Sequence, residues 1–393
     1  MNKTVILGID GWYPQVDGGT NVVLNYREWL KDMYDCYIVA PSYGKKADEE
    51  GEKKYCAGVF HNFSLGVPGL SFRNSVPGAD RALKRFLKQN RPDVLHAHSP
   101  FAICGYFARY AKKAGVPLVY TFHTRFKDEF MRVTKSRLAT AIMMSVIMRN
   151  IRRADYVWAV SKSSAETLRE YGYKGEIKVM RNGSDMPAAS AGEREALAAE
   201  IKKEYGISPD ERVFIYSGRV VKVKNLAFSF KVLSELFRRG VRYKFLVVGG
   251  GDELEEHKKL AAKCGIAQST VFTGYVGDRQ KLRAFYAAAD LLLFPSTFDT
   301  FGLVVQEAAA MGTPSLVVSG SGAAELIEDG VNGYAEEEDV ARWADKVLRI
   351  FSDGSLAAVQ KGCADLAYTW KDALRDVSRE YERIMEEYKG KKS

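Results

Sequence analysis

The sequence lacks the marks of several protein classes. Its five cysteines, Cys36, Cys56, Cys104, Cys264 and Cys363, are scattered and odd in number, with no C-x-x-C pair. That argues against a disulfide framework or a zinc site and favours a reducing cytoplasm. Long hydrophobic runs are missing too. The longest uncharged apolar stretch, Leu138–Met148 (LATAIMMSVIM), falls well short of the roughly 18 to 20 residues a membrane span needs. The first residues, MNKTVILGIDGWYP, break at Asp10 and Gly11 with no small-residue cleavage site behind them, and read as a first strand, not a signal peptide. No low-complexity tract or short repeat appears. The dinucleotide fingerprint G-x-G-x-x-G is absent, since VVGGGDELEE lacks its third glycine, which disfavours a nicotinamide dehydrogenase.

What is present suits a soluble protein of two domains: 393 residues, 46% hydrophobic and 27% charged. Charge is uneven. Residues 1–185 hold 29 Lys and Arg against 18 Asp and Glu, the remainder 29 against 31, so the first half carries +11 and the second −2. A basic half suits an anionic partner, or is simply a solvated surface. Nucleic acid is not the expected partner, because no aromatic RNA motif, zinc spacing or recognition helix accompanies the charge.

Apolar runs alternate with helical-period segments: VILGID, CYIVAP, VLHAH, LVYTFH, YVWAV and IKVM, then, after a break near Asp185–Ala191, VFIYSG, YKFLVVGG, VFTG, DLLLFP and PSLVV. That rhythm predicts an α/β protein of two Rossmann-like domains with parallel sheets, 1–185 and 186–368, followed by a C-terminal helix, 369–393.

Ligands of open parallel sheets bind at strand ends, and four strand ends hold suitable chemistry. Gly18 and Gly19 precede a helix after the first strand, where bare backbone amides can approach a phosphate; a turn glycine is the plainer explanation. His123, just past LVYTFH, can hydrogen-bond a substrate hydroxyl, though a lone histidine is often structural. Arg219 and Lys224, in GRVVKVKN, can clamp a diphosphate, or can be surface charges. In FPSTFDTFGLVVQEAAAMGTP, Gly302 starts a helix, with Asp299 in the loop before it and Glu307 about a turn and a half inside it. One carboxylate can hold sugar hydroxyls and the other a ribose diol, or both are acids favoured by the helix dipole.

Together, the Asp299 to Glu307 spacing, GRVVKVKN, the early glycine pair, His123 and the NGSD at 182–185 resemble glycosyltransferase family 4, in the right order and over nearly the whole chain. The resemblance implies a GT-B fold: two Rossmann-like domains facing a central cleft, the acceptor on the first, the nucleotide-sugar donor on the second, the last helix crossing back to the first. It implies retention of anomeric configuration, no metal and no other cofactor. By it, Arg219 and Lys224 hold the donor diphosphate, Glu307 the ribose, Gly302 and Leu303 offer backbone amides, Gly19 lies near the phosphates, and His123 and Asp299 serve the transferred sugar. Asp299 stands where the family usually has Glu, one methylene longer. The absence of a D-x-D pair agrees with a metal-independent enzyme. UDP-glucose is the expected donor, with GDP-sugars open; a non-catalytic sugar-nucleotide binder is the alternative.

For the acceptor, Arg125–Arg153 carries eight Lys and Arg and two acids around a methionine-rich apolar centre. Such a segment can lie on an anionic bilayer, making the protein peripheral on the inner face of the membrane with a lipid acceptor such as diacylglycerol. Alternatively, Leu138–Met148 is core packing, and the acceptor is a soluble or carrier-linked glycan.

Overall fold

Each apolar run named above contributes a strand, buried except at two sheet edges, where IKVM is exposed and VFTG half-buried, and the computed structural model describes residues 2–14, 18–66, 73–299 and 301–390. Thr300 and residues 391–393 of the expected last helix lie outside the described residues. In the first half the strands are β1 (Thr4–Gly8), β2 (Asp35–Pro41), β3 (Val59–Asn62), the short antiparallel pair β4 (Ser64–Gly66) and β5 (Arg73–Ser75), then β6 (Val94–Ala97), β7 (Leu118–Phe122), β8 (Tyr156–Ala159) and β9 (Lys178–Val179). Seven of them form one parallel sheet in the order β3-β2-β1-β6-β7-β8-β9. The second half adds β10 (Arg212–Ser217), β11 (Tyr243–Val248), β12 (Thr270–Gly274), β13 (Leu291–Phe294), β14 (Ser315–Val318) and β15 (Tyr334–Glu336), again all parallel, in the order β12-β11-β10-β13-β14-β15.

Both orders reverse direction next to the first strand, between β1 and β6 and between β10 and β13. That crevice is where an open α/β sheet receives a ligand. Helices cover both faces, so alternate residues of one strand enter different cores. In the second sheet Val213, Ile215 and Leu292 join one apolar cluster, while Phe214, Tyr216, Leu291 and Leu293 join the other.

Contacts divide the chain into Met1–Asn182 with Trp370–Ser393, and Gly183–Thr369. The helix Trp370–Gly390 belongs to the first unit because its inner face is bound there. Tyr381 stacks on Trp158 with ring centroids 5.6 Å apart, and Glu382 accepts from the Tyr34 hydroxyl at 2.9 Å.

The helix Arg137–Ile151 starts at Ser136, whose Oγ accepts from the backbone N–H of Ala139 at 3.3 Å. It buries Ile147, Met148 and Ile151. Leu138, Ile142 and Val146, four residues apart and hence on one stripe, are 73%, 58% and 43% exposed. Core packing therefore accounts for only one side of this apolar run. Among the described residues no helix is long and apolar enough to cross a membrane.

Candidate active site

In the second unit the crevice between β10 and β13 gathers every residue the sequence singled out there. Beyond β10 the chain turns at Gly218 and presents Arg219, whose carbonyl accepts from the buried Tyr216 hydroxyl at 2.9 Å. This turn needs room. A Cβ on Gly249, at the end of β11 with φ +143°, would run into the Gly218 carbonyl, so the GGG of VVGGGDELEE serves close backbone approach.

Lys224 ends a short 3-10 turn (Lys222–Lys224), and its Nζ is ion-paired with Asp299 Oδ1. Both side chains are largely buried, at 15% and 21% exposure. The other carboxylate oxygen, Asp299 Oδ2, is buried with no hydrogen-bond partner among the described residues, as is Ser296 Oγ just before it. Such atoms are costly unless something else meets them.

Gly302 caps the helix Leu303–Ala310 at φ +71°, and a Cβ there would sit 2.8 Å from the Ala323 side chain. A helix starts there, so the Leu303 and Val304 amides lie at its positive end, while the Val305 amide already donates to the Gly302 carbonyl at 2.9 Å. One turn on, Glu307 is 14% exposed and engaged at both oxygens. Arg279 Nη2 donates to Oε1 at 2.9 Å and the Tyr286 hydroxyl to Oε2 at 2.8 Å. Tyr286 also lies 2.8 Å from Ser217 Oγ at the end of β10, so Glu307 is tied across the crevice. Arg279 is shared with Asp185. Burial lifts the carboxyl of Glu307 above its ordinary value, against the pull of Arg279 and Tyr286.

The first unit places its groups around the ends of β1, β6 and β7. Gly19 is the second residue of the helix Gly18–Leu30. His123 follows β7, and its Nε2 is 3.0 Å from His98 Nδ1 beyond β6. His98 in turn lies against His96, with centroids 4.0 Å apart. At the end of β1, Asp10 accepts from Ser99 Oγ at 2.8 Å and from the Ile103 backbone at 3.3 Å; burial pushes its pKa up to about 6.

Several of these residues escaped sequence reasoning. His96 and His98 stand in HAHSP at a strand end beside the crevice, so the rule that found His123 also reaches them. Tyr286 and Arg279 lie in an ordinary-looking helix and give no signal of their own.

Two family models meet on this framework: residues 16–186 match Glycosyltransferase Family 4, and residues 198–364 match Glycosyl transferases group 1. The chain belongs to glycosyltransferase family 4. Among relatives of this glycosyltransferase is the alpha-monoglucosyldiacylglycerol synthase of Streptococcus pneumoniae, 26% identical over 342 residues, 84% of this chain and 75% of that one. A GDP-mannose-dependent alpha-mannosyltransferase of Corynebacterium glutamicum is 27% identical over 332 residues, with the same coverage. The fold is GT-B: Anabaena Alr3699/HepE, solved in complex with UDP, superposes with a TM-score of 0.77 at 18% identity, covering 97% of this chain and all of that one.

Proposed function

We propose that this glycosyltransferase moves a hexose, glucose from UDP-glucose, to a hydroxyl of a membrane lipid of the diacylglycerol type, retaining anomeric configuration. Asp299 Oδ2 carries the donor half of this reading: a buried carboxylate oxygen without a protein partner suits a sugar hydroxyl. Arg219 and Lys224 supply cations for the diphosphate, with Lys224 exchanging Asp299 for phosphate oxygens as the donor arrives. The Gly302 and Leu303 amides add the positive end of a helix. Glu307, held by Arg279 and Tyr286, accepts from the ribose hydroxyls through its remaining lone pairs. As the sugar–phosphate bond breaks, negative charge grows on the diphosphate and positive charge on the sugar carbon; the paired cations and Asp299 are of the right sign for each. Gly19 lends its amide toward the phosphates, and His123 addresses the sugar and the acceptor hydroxyl. No metal and no other cofactor enters this scheme.

The acceptor half rests on the surface of the helix Arg137–Ile151. Its exposed stripe of Leu138, Ile142 and Val146 is edged by Arg137 and Arg149, with Val133, 64% exposed, and Lys135 just before it. An aliphatic strip with a basic rim suits the interface of an anionic bilayer, where the protein would be peripheral. Beside it opens a groove of about 440 Å³ whose lining includes the apolar Met131, Ala141 and Met144, the cations Lys127 and Arg137, and one acid, Glu170. The Streptococcus pneumoniae relative, named an alpha-monoglucosyldiacylglycerol synthase, supports the same reading.

The test incubates the protein with UDP-glucose or GDP-mannose, with and without anionic vesicles containing diacylglycerol, and follows nucleotide release and glycolipid by mass spectrometry. Glycolipid from UDP-glucose with vesicles is expected, and its loss on joint replacement of Leu138, Ile142 and Val146 by serine. Nucleotide release with no glycolipid moves the acceptor to a soluble or carrier-linked glycan; tight nucleotide-sugar binding with no turnover makes the protein a binder.

A further inference from the structure

His123 is not held by its own strand alone. Its Nε2 meets His98 Nδ1 at 3.0 Å, with the two rings within 16° of coplanar and centroids 5.3 Å apart, the geometry of an in-plane hydrogen bond between imidazoles. His98 is 3% exposed, and its remaining nitrogen, Nε2, has no hydrogen-bond partner among the described residues. Behind it His96 is fully buried and fixed at both nitrogens: Nδ1 lies 2.6 Å from the Tyr381 hydroxyl and Nε2 2.7 Å from Thr121 Oγ1. A neutral ring has one N–H to give, so one of those hydroxyls donates and the other accepts. Tyr26 packs edge-on against both rings, at 5.6 Å from His96 and 4.9 Å from His98, and Trp370 packs on Tyr26 at 6.3 Å. Burial, reinforced by the neighbouring imidazoles, drives the pKa of His96 and His98 well below the ordinary value, so both are neutral near pH 7.

We propose that His98 is a positioning residue for glycosyl transfer: through its Nδ1 it sets the tautomer and ring plane of His123, and it is itself immobilised by an aromatic stack that includes Tyr381 of the last helix. The proposal rests on the reading of His123 as the group that addresses sugar and acceptor. Whichever ring gives the proton, a single N–H sits between them, so the state of one ring dictates the state of the other. A partner at one nitrogen holds the His123 ring plane before substrate arrives, which is what orientation contributes to rate. His98 does this without a charge, as a position beside a reacting sugar centre that gains positive charge requires.

Asparagine and glutamine separate the two ring nitrogens of position 98. An Asn amide falls near the place of Nδ1, a Gln amide near that of Nε2. His98→Leu is expected to lower turnover of UDP-glucose by about 100-fold with its KM within about twofold. His98→Asn should recover most of that turnover, and His98→Gln little of it. A second readout needs no donor. The chain has five histidines, so ¹⁵N-histidine NMR can follow each ring, and the His123 tautomer should change in His98→Leu and His98→Gln but hold in His98→Asn. Equal turnover and equal His123 spectra for Asn and Gln overturn the proposal, and remain decisive if His98→Leu does not fold. If His123→Ala is inactive while His98→Leu turns over like the parent, His98 has no positioning role and the reading of His123 stands. If His123→Ala itself retains full turnover, that reading falls and takes the proposal with it.

Discussion

The two crevices have the same topology and opposite electrostatics. Beside β10 and β13, the second unit collects full charges in pairs: Lys224 with Asp299, and Arg279 with Glu307 and Asp185. Beside β1, β6 and β7, the first unit stacks uncharged imidazoles on tyrosine and tryptophan, with a carboxyl, Asp10, that burial makes reluctant to ionise. On the function proposed above, one sheet order would serve two kinds of ligand. A diphosphate needs mobile or exchangeable cations, and ion pairs store them without leaving them bare. A hydroxyl acceptor needs a neutral hydrogen-bonding group in a fixed orientation, and buried imidazoles provide one.

The contrast breaks most visibly at Asp299. Asp299→Ala should lower sugar transfer by about 100-fold or more, yet leave UDP affinity unchanged or several-fold tighter, because Lys224 is released from its ion pair. Turnover and calorimetric UDP titration measured on the same variant decide it; weaker UDP binding counts against Lys224 as the phosphate cation. Glu307→Ala should act in the reverse sense, weakening UDP by about 10- to 100-fold through loss of charge-assisted hydrogen bonds. Unchanged UDP affinity there removes the ribose role.

In the first unit, beyond the turnover effects expected at His98, two smaller effects are on stability. The folded pKa of Asp10, about 6, lies above its ordinary value of 3.8, so the folded protein binds this proton more tightly than the unfolded chain does between those values. Stability should therefore fall as pH rises from about 4 to 6 and level off above, with an amplitude of the order of 2 to 3 kcal/mol. Asp10→Asn should remove that slope, which urea unfolding of parent and variant at pH 4, 5, 6 and 7 reveals as a difference. Tyr381→Phe takes the hydroxyl partner from the buried His96 Nδ1 and should cost about 1 to 3 kcal/mol in the same assay. A loss below 0.5 kcal/mol would mean that His96 does not depend on the last helix.

Much of this was legible before the coordinates. The short apolar runs alternating with helical segments pointed to both Rossmann-like sheets, and looking just past each run led to Arg219, Lys224, Asp299, Glu307 and His123. Applied to HAHSP, the same rule reaches His98 just past its strand, but not the partners that fix the pair, Tyr381 and Thr121, which stand far away in the sequence. In Leu138–Met148 a helical run was visible, but not which side faced water, because a run that is apolar nearly all round has no polar face to orient it.

The order of residues by itself determined where strands end and which chemistry stands at each end, since hydrophobic periodicity and turn residues are local properties. Pairing is not local. That Lys224 meets Asp299, 75 residues away, that Tyr286 ties Glu307 to Ser217, and that Tyr381 reaches His96 across 285 residues depend on sheet order and helix packing. Only the folded chain decided which charges are matched, which carboxylate oxygen is buried without a partner among the described residues, and which histidines are held neutral, because each follows from burial and distance in three dimensions.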